Sequence, residues 1–194
     1  MNAINSAALK KVPGDLAMWV FIMAELAVFA LLLISIALAA HQQPETFRAG
    51  VQTLHPIFGL LNTFALLSGS ACLVYAVEQS HDYPQRILQG LFATLLLGSV
   101  YVLFKSIEYY SLWQAGYHLR SGTFYFLYYF VTFFHFMHVL LGMVIVFVVR
   151  QRIQQGTYPQ IEDQHAGLES AGSYWHMVDL VWLVLFPLLY LVYL

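Results

Sequence analysis

Hydrophobic residues in this chain gather into five stretches, at about 15–40, 54–78, 86–114, 124–150 and 170–194. Each reaches or exceeds the ~20 apolar residues that carry an α-helix across a bilayer. The links between them, His41–Thr53, Gln79–Gln85, Ala115–Thr123 and Gln151–Glu169, are short, which favours antiparallel neighbours. The pattern predicts an all-α integral membrane bundle of five transmembrane helices. It forms a single domain over 1–194, with no internal repeat. Asp15, after Pro13-Gly14, suits the N-cap of the first span. The last link is the longest and most polar, holding Gly156, Pro159, Glu162, Asp163 and His165.

Composition agrees with a membrane chain. Of 194 residues, 60% are hydrophobic and 9% charged, against about 25% charged in soluble domains. A net charge of -2 without basic blocks gives nucleic-acid binding no electrostatic support. The single cysteine, Cys72, excludes an internal disulfide and any cysteine-based metal motif. Lys10 and Lys11 before the first apolar run, with Ala37-Leu38-Ala39 near its end, imitate a signal peptide. The run from Leu16 to Ala40 is too long for an h-region of about 7–15 residues, and Glu25 sits in its middle, so it reads as a retained span. Basic residues set the orientation. Lys10, Lys11, Arg86, Arg150 and Arg152 fall on one side and Arg48 and Arg120 on the other, which predicts a cytoplasmic N-terminus and an outside C-terminus. Tyr109, Tyr110, Trp113 and Tyr117 near a span end suit the interfacial aromatic belt.

The candidate chemistry lies where ionisable residues interrupt apolar spans. Such groups cost roughly 2.5–3.5 kcal/mol each on insertion scales, so they turn away from lipid. His176 and Asp179 share a helix face at i,i+3, and so do His135 and His138. At a helical rise of ~1.5 Å, Glu25 lies about 15 Å into the first span, and His176 and Asp179 about 9–14 Å from the same side. These groups are close enough in depth to form one internal network. Lys105 and Glu108 form a second i,i+3 pair nearer the outer side, where Lys105 either snorkels outward or pairs with Glu108. Asn62 and Thr63 enter from that side too.

Each feature has a plainer explanation. His176 and Asp179 can serve as interhelical hydrogen-bond glue, worth on average ~0.6 kcal/mol per bond. His135 and His138 could ligate a metal or haem, although no helix carries the Glu-x-x-His repeat of di-iron bundles. Glu25 is either a neutral, hydrogen-bonded acid or part of a proton or ligand pathway. The Phe-rich run Phe124–Phe136 reads as lipid-facing or packing surface. Gly59, Gly69, Gly98 and Gly142 permit close helix approach. From the residues alone, an autonomous membrane metalloprotein and a small proton-coupled transporter using Glu25 both stay open.

The chain resembles subunit III of the haem–copper oxidase superfamily. The resemblance rests on Trp19-Val20-Phe21-Ile22-Met23-Ala24-Glu25, Asn62-Thr63-Phe64-Ala65-Leu66-Leu67-Ser68-Gly69-Ser70 and Lys105-Ser106-Ile107-Glu108-Tyr109. It continues with His135-Phe136-Met137-His138-Val139-Leu140-Leu141-Gly142 and Tyr174-Trp175-His176-Met177-Val178-Asp179-Leu180-Val181-Trp182, so it covers all five spans in order. The opening Pro13-Gly14-Asp15-Leu16-Ala17-Met18-Trp19 and the five-span form look most like the subunit-III-like proteins associated with bacterial nitric oxide reductase. Five-span oxidase subunits III are the near alternative. Seven-span members have two further N-terminal helices, which this sequence does not show, and a lipid-holding cleft that those helices help to form.

The resemblance implies a non-catalytic subunit of the respiratory electron-transport chain in the bacterial cytoplasmic membrane. It implies no catalytic, metal or cofactor-binding residue in this chain. Its partners would be a haem-bearing catalytic membrane subunit, holding haem with copper or non-haem iron, that subunit's cytochrome c-type companion, and membrane lipids. The chain would support stability, proton uptake or gas access. Glu25 falls at the family's buried, carbodiimide-reactive glutamate. His135, His138, Glu169, His176 and Asp179 fall at its internal polar network. Phe136 replaces the glycine that often follows the first His of H-x-x-H, so packing there is expected to differ.

Overall fold

The computed structural model describes residues 16–79 and 84–192; Asp15, the expected N-cap, lies outside them. The architecture is all-α, with helices α1 (Leu16–Gln42), α2 (Pro44–Val51), α3 (Pro56–Glu78), α4 (Pro84–Gln114), α5 (Thr123–Gln154) and α6 (Ile161–Tyr190). All but α2 are long and apolar enough to cross a membrane. Three helices begin on proline, Pro44, Pro56 and Pro84, whose fixed φ suits a first turn that needs no N–H partner. Helices α4 and α5 stop alike. Gly116 (φ 85) and Gly156 (φ 63) take the left-handed region that side chains avoid. Their N–H groups bond Trp113 O and Ile153 O, and the next N–H groups, of Tyr117 and Thr157, reach back to Leu112 O and Arg152 O. These are Schellman ends, and they turn the chain back into the next span.

Two boundaries depart from the hydrophobic pattern. The link after the first span contains α2, whose Phe47, Gly50 and Val51 are buried. Phe47 packs edge-on against Phe124 at 5.4 Å, and Gly50 lies so close to the Phe124 ring that a Cβ there would enter it. The last span starts at Ile161 rather than near 170, so half of the polar link is helical. Glu162 and Asp163 occupy its first turn, where the helix dipole favours acids. Thirty residues rise about 45 Å. That exceeds the ~30 Å hydrocarbon core, and hydrophobicity alone marks only the part that fits inside it.

Helix α6 is central and touches α1, α3 and α5. Over its most apolar window 56% of residues are buried, against 17% for α1. Helix α1 is the outlying stave, burying Ile22, Phe29 and Ile36 at seven-residue intervals, with Ala40. Trp175 of α6 explains much of the close packing. Its indole, fully buried, lies where Cβ atoms built at Gly69, Gly98 and Gly142 would meet it at 3.5, 3.0 and 3.3 Å. One ring thus uses a glycine from each of α3, α4 and α5. Gly59 makes room for Phe186 in the same way. The Phe-rich run is divided: Phe124 is buried, while Phe126, Phe130 and Phe133 are exposed.

Candidate functional site

Most of the singled-out ionisable residues turn inward, but His176 is exposed, and apart from His135 they form three separate groups rather than one network. The first joins α1 to α5. His138 Nδ1 lies 2.8 Å from Phe134 O one turn earlier, and its Nε2 lies 3.0 Å from Glu25 Oε2. A carbonyl only accepts, so Nδ1 carries hydrogen. The Nε2–Oε2 contact then needs one proton between the partners, as imidazolium with carboxylate or as imidazole with carboxylic acid. The pair is therefore a one-proton site. Phe29 covers it, its ring 5.0 Å from the imidazole.

The second group links the other ends of α4, α5 and α6. Lys105 Nζ donates to Glu108 Oε2 at 2.9 Å, Tyr128 OH at 3.0 Å and Tyr190 OH at 2.9 Å. Tyr190 OH donates in turn to Glu108 Oε1 at 2.7 Å. The rings of Tyr109, Tyr128, Trp182 and Tyr190 surround the ammonium at 4.8–5.6 Å. Lys105 and Glu108 are buried, at 0% and 1% side-chain exposure, so Lys105 pairs and does not snorkel. Three hydrogen bonds use all three ammonium donors, the condition under which a buried charge is tolerable.

The third group lies between α3 and α6. His176 Nδ1 and Ser70 Oγ share a hydrogen bond of 2.7 Å, although His176 is exposed at the helix surface. Glu169, expected at a span end, is well inside α6 and pairs with His165 at 3.4 Å. Asp179 is 5% exposed, and neither oxygen makes a hydrogen bond of good geometry.

His135, expected in the polar network, sits among rings instead. It stacks on Trp182 at 5.2 Å and meets Tyr101 edge-on at 5.9 Å, with no hydrogen-bond partner on either nitrogen. Trp182 is held by its own Nε1 donation to Thr63 Oγ1 at 2.9 Å. Asn62 is fully buried beside it in sequence, also without a partner. Among the described residues no three His, Cys, Asp or Glu side chains converge as a metal-binding set. Both His138 nitrogens are engaged, one with Phe134 O and the other with Glu25 Oε2. Sequence reasoning missed Ser70, Tyr128 and Tyr190. The signal for the tyrosines was Lys105 itself, since an ammonium inside a span needs several acceptors.

Apolar helices around inward-facing charges define a multi-pass membrane protein. The chain belongs to the cytochrome c oxidase subunit III family, whose sequence profile matches residues 9–193. It is similar to cytochrome c oxidase subunit 3 of Rhizopus stolonifer, 36% identical over 157 residues, or 80% of this chain and 53% of the relative. The Podospora anserina protein is 34% identical over 143 residues (73% and 51%), and the Equus caballus protein 33% over 143 (73% and 53%). The chain spans about half the length of the curated relatives it matches.

Proposed function

We propose that this chain is a non-catalytic subunit of a respiratory haem–copper complex. Its partner is a haem-bearing catalytic membrane subunit with a cytochrome c-type companion, and haem with copper or non-haem iron resides there. The finer reading is an accessory subunit of nitric oxide reductase in a bacterial cytoplasmic membrane, N-terminus inside. The opening motif Pro13-Gly14-Asp15 and the basic residues that the pattern places on one side support it. The single observation that carries the proposal is the division of the fold. Two charged pairs, Lys105–Glu108 and Glu25–His138, are turned inside the bundle, while α1 presents Val20, Met23, Leu31, Ile34 and Leu38 outward, a wide apolar face for a larger membrane partner or for lipid. Subunit identity is tested by mild detergent extraction of the native complex and mass identification of its companions. Co-purification with a haem protein is expected, and the class of that protein decides between oxygen and nitric oxide. A colourless chain that travels alone would overturn the proposal.

A further inference from the structure

Where α4 ends and α5 begins, a cavity of about 290 Å³ opens at the lipid-facing surface. Exposed Trp113, Phe130 and Phe133 line it together with the half-buried Tyr109 and Tyr129. The two phenols lead inward. Ring centre to ring centre, Tyr129 lies 5.4 Å and Tyr109 6.5 Å from Tyr128, which lies 6.3 Å from Tyr190. Tyr128 and Tyr190 are sealed from the surface, and their hydroxyls are 3.3 Å apart. The hydroxyl partners change along this row. Tyr109 donates to the Thr132 hydroxyl and Tyr129 to the Tyr117 carbonyl, two oxygens too weakly basic to take a proton. Tyr190 donates at 2.7 Å to the Glu108 carboxylate, which can take one. A phenol that loses an electron becomes a strong acid. The ring with a base on its hydroxyl is therefore the one on which an oxidised state settles. Lys105 Nζ, donating to the oxygens of both Tyr128 and Tyr190, holds that oxygen in place before and after oxidation.

We infer that this row of phenols is a radical sink for the bilayer, with a lipid peroxyl radical as oxidant, Tyr129 as entry and Tyr190 as the holding site. In the cavity the peroxyl radical takes the hydrogen atom of the Tyr129 hydroxyl. That O–H bond breaks, the O–H bond of a lipid hydroperoxide forms, and a Tyr129 phenoxyl radical remains. An electron then passes from Tyr190 through Tyr128 to Tyr129, and Tyr129 regains a proton from interfacial water. The Tyr190 proton moves to Glu108 Oε1. The peroxyl radical has been reduced by one electron and Tyr190 oxidised by one. One hydrogen ends in the hydroperoxide and one on Glu108. The radical now lies where no acyl chain can reach it, so a peroxidation chain that enters the cavity stops. The sink needs no partner subunit and stands apart from the proposed complex.

The test uses the full chain in vesicles of polyunsaturated phosphatidylcholine, with peroxyl radicals generated by a lipid-soluble azo initiator. Samples frozen at intervals are read by electron paramagnetic resonance, with ring-deuterated tyrosine identifying a tyrosyl signal by its narrowing. The wild-type chain is expected to build up a long-lived tyrosyl radical. Tyr190→Phe should abolish it and leave only the short-lived signals of exposed phenols such as Tyr110. Lys105→Met with Glu108→Gln is the second probe, since the amide still accepts from Tyr190 but takes no proton. Formation of the signal should slow there by about a hundredfold, as loss of a positioned base does. Tyr109→Phe with Tyr129→Phe keeps every ring and should remove the entry, with the same loss of the long-lived signal. A cooperative thermal transition is required of each variant before its spectrum is scored. Absence of a long-lived radical in the wild type, its survival in Tyr190→Phe, or wild-type formation in either double variant would overturn the sink.

Discussion

Replacing Lys105 by methionine is the sharpest perturbation that the fold offers. The side chain keeps its length and apolar stem but loses the ammonium that binds Glu108, Tyr128 and Tyr190. Glu108, 1% exposed, then keeps only the Tyr190 hydroxyl as a donor from this cluster. Removing one partner of a buried ion pair costs about 3–5 kcal/mol, because the remaining charge is stranded. At ~2–4 °C per kcal/mol for a chain of this size, the midpoint should fall by about 6–20 °C. Lys105→Met with Glu108→Gln strands no charge, and the amide oxygen still accepts from Tyr190. The double variant should therefore recover most of the loss. The implied coupling of at least ~2 kcal/mol is well above the 0.2–1 kcal/mol of an exposed pair. The protein supplies its own probe: Cys72, the single cysteine, is half-buried on α3 and becomes reactive to a fluorogenic maleimide as the bundle opens. A midpoint for Lys105→Met within ~2 °C of wild type, or a double variant no better than the single, would refute the cage.

The same thermal ramp checks two further changes. Tyr190→Phe deprives Glu108 Oε1 of its donor and should cost about 1–3 kcal/mol; an unchanged midpoint would show that the hydroxyl is dispensable. Gly98→Ala sets a methyl 3.0 Å from the Trp175 indole and should cost about 1–3 kcal/mol by overpacking, partly recovered when Trp175→Phe is added. No recovery would mean that the strain lies elsewhere. Glu25→Gln keeps a group able to donate to His138 Nε2, so assembly should survive while the shared proton is lost. The co-purified complex should then show altered activity or a changed turnover lifetime, and wild-type kinetics over many turnovers would count against that.

Hydropathy revealed the five spans because bilayer thickness imposes a length that composition reports directly. It could not reveal α2, which is eight residues long and held by Phe47 against a ring far along the chain. Nor could it show where α6 begins, since turns outside the hydrocarbon need not be apolar. The inward turn of Glu25, His138 and Asp179 was legible from the cost of charge in lipid. Which groups would meet was not. Glu25 and His138 are separated by 113 positions, and only the crossing of α1 over α5 brings them together. Tyr109 shows the limit from the other side. It reads as an interfacial residue, yet its ring lies 5.1 Å from the Lys105 ammonium and its hydroxyl donates to Thr132. The aromatic setting of His135 was not legible either, because a neutral imidazole can be stored between aromatic faces as readily as in a hydrogen-bonded chain.

The narrow seam of α1 bears on how the protein is made. Of the five described spans this helix is made before the other four, and the imidazole that its acid meets is not present until α5 has been synthesised, long afterwards. During that interval Glu25 crosses the translocon as a lone polar group, at a penalty of a few kcal/mol. Release of α1 into lipid before α5 arrives would be unfavourable, so the nascent segment should linger beside the insertion machinery and be captured as the later hairpin docks. Biogenesis is thereby timed by the same contact that pins the finished stave.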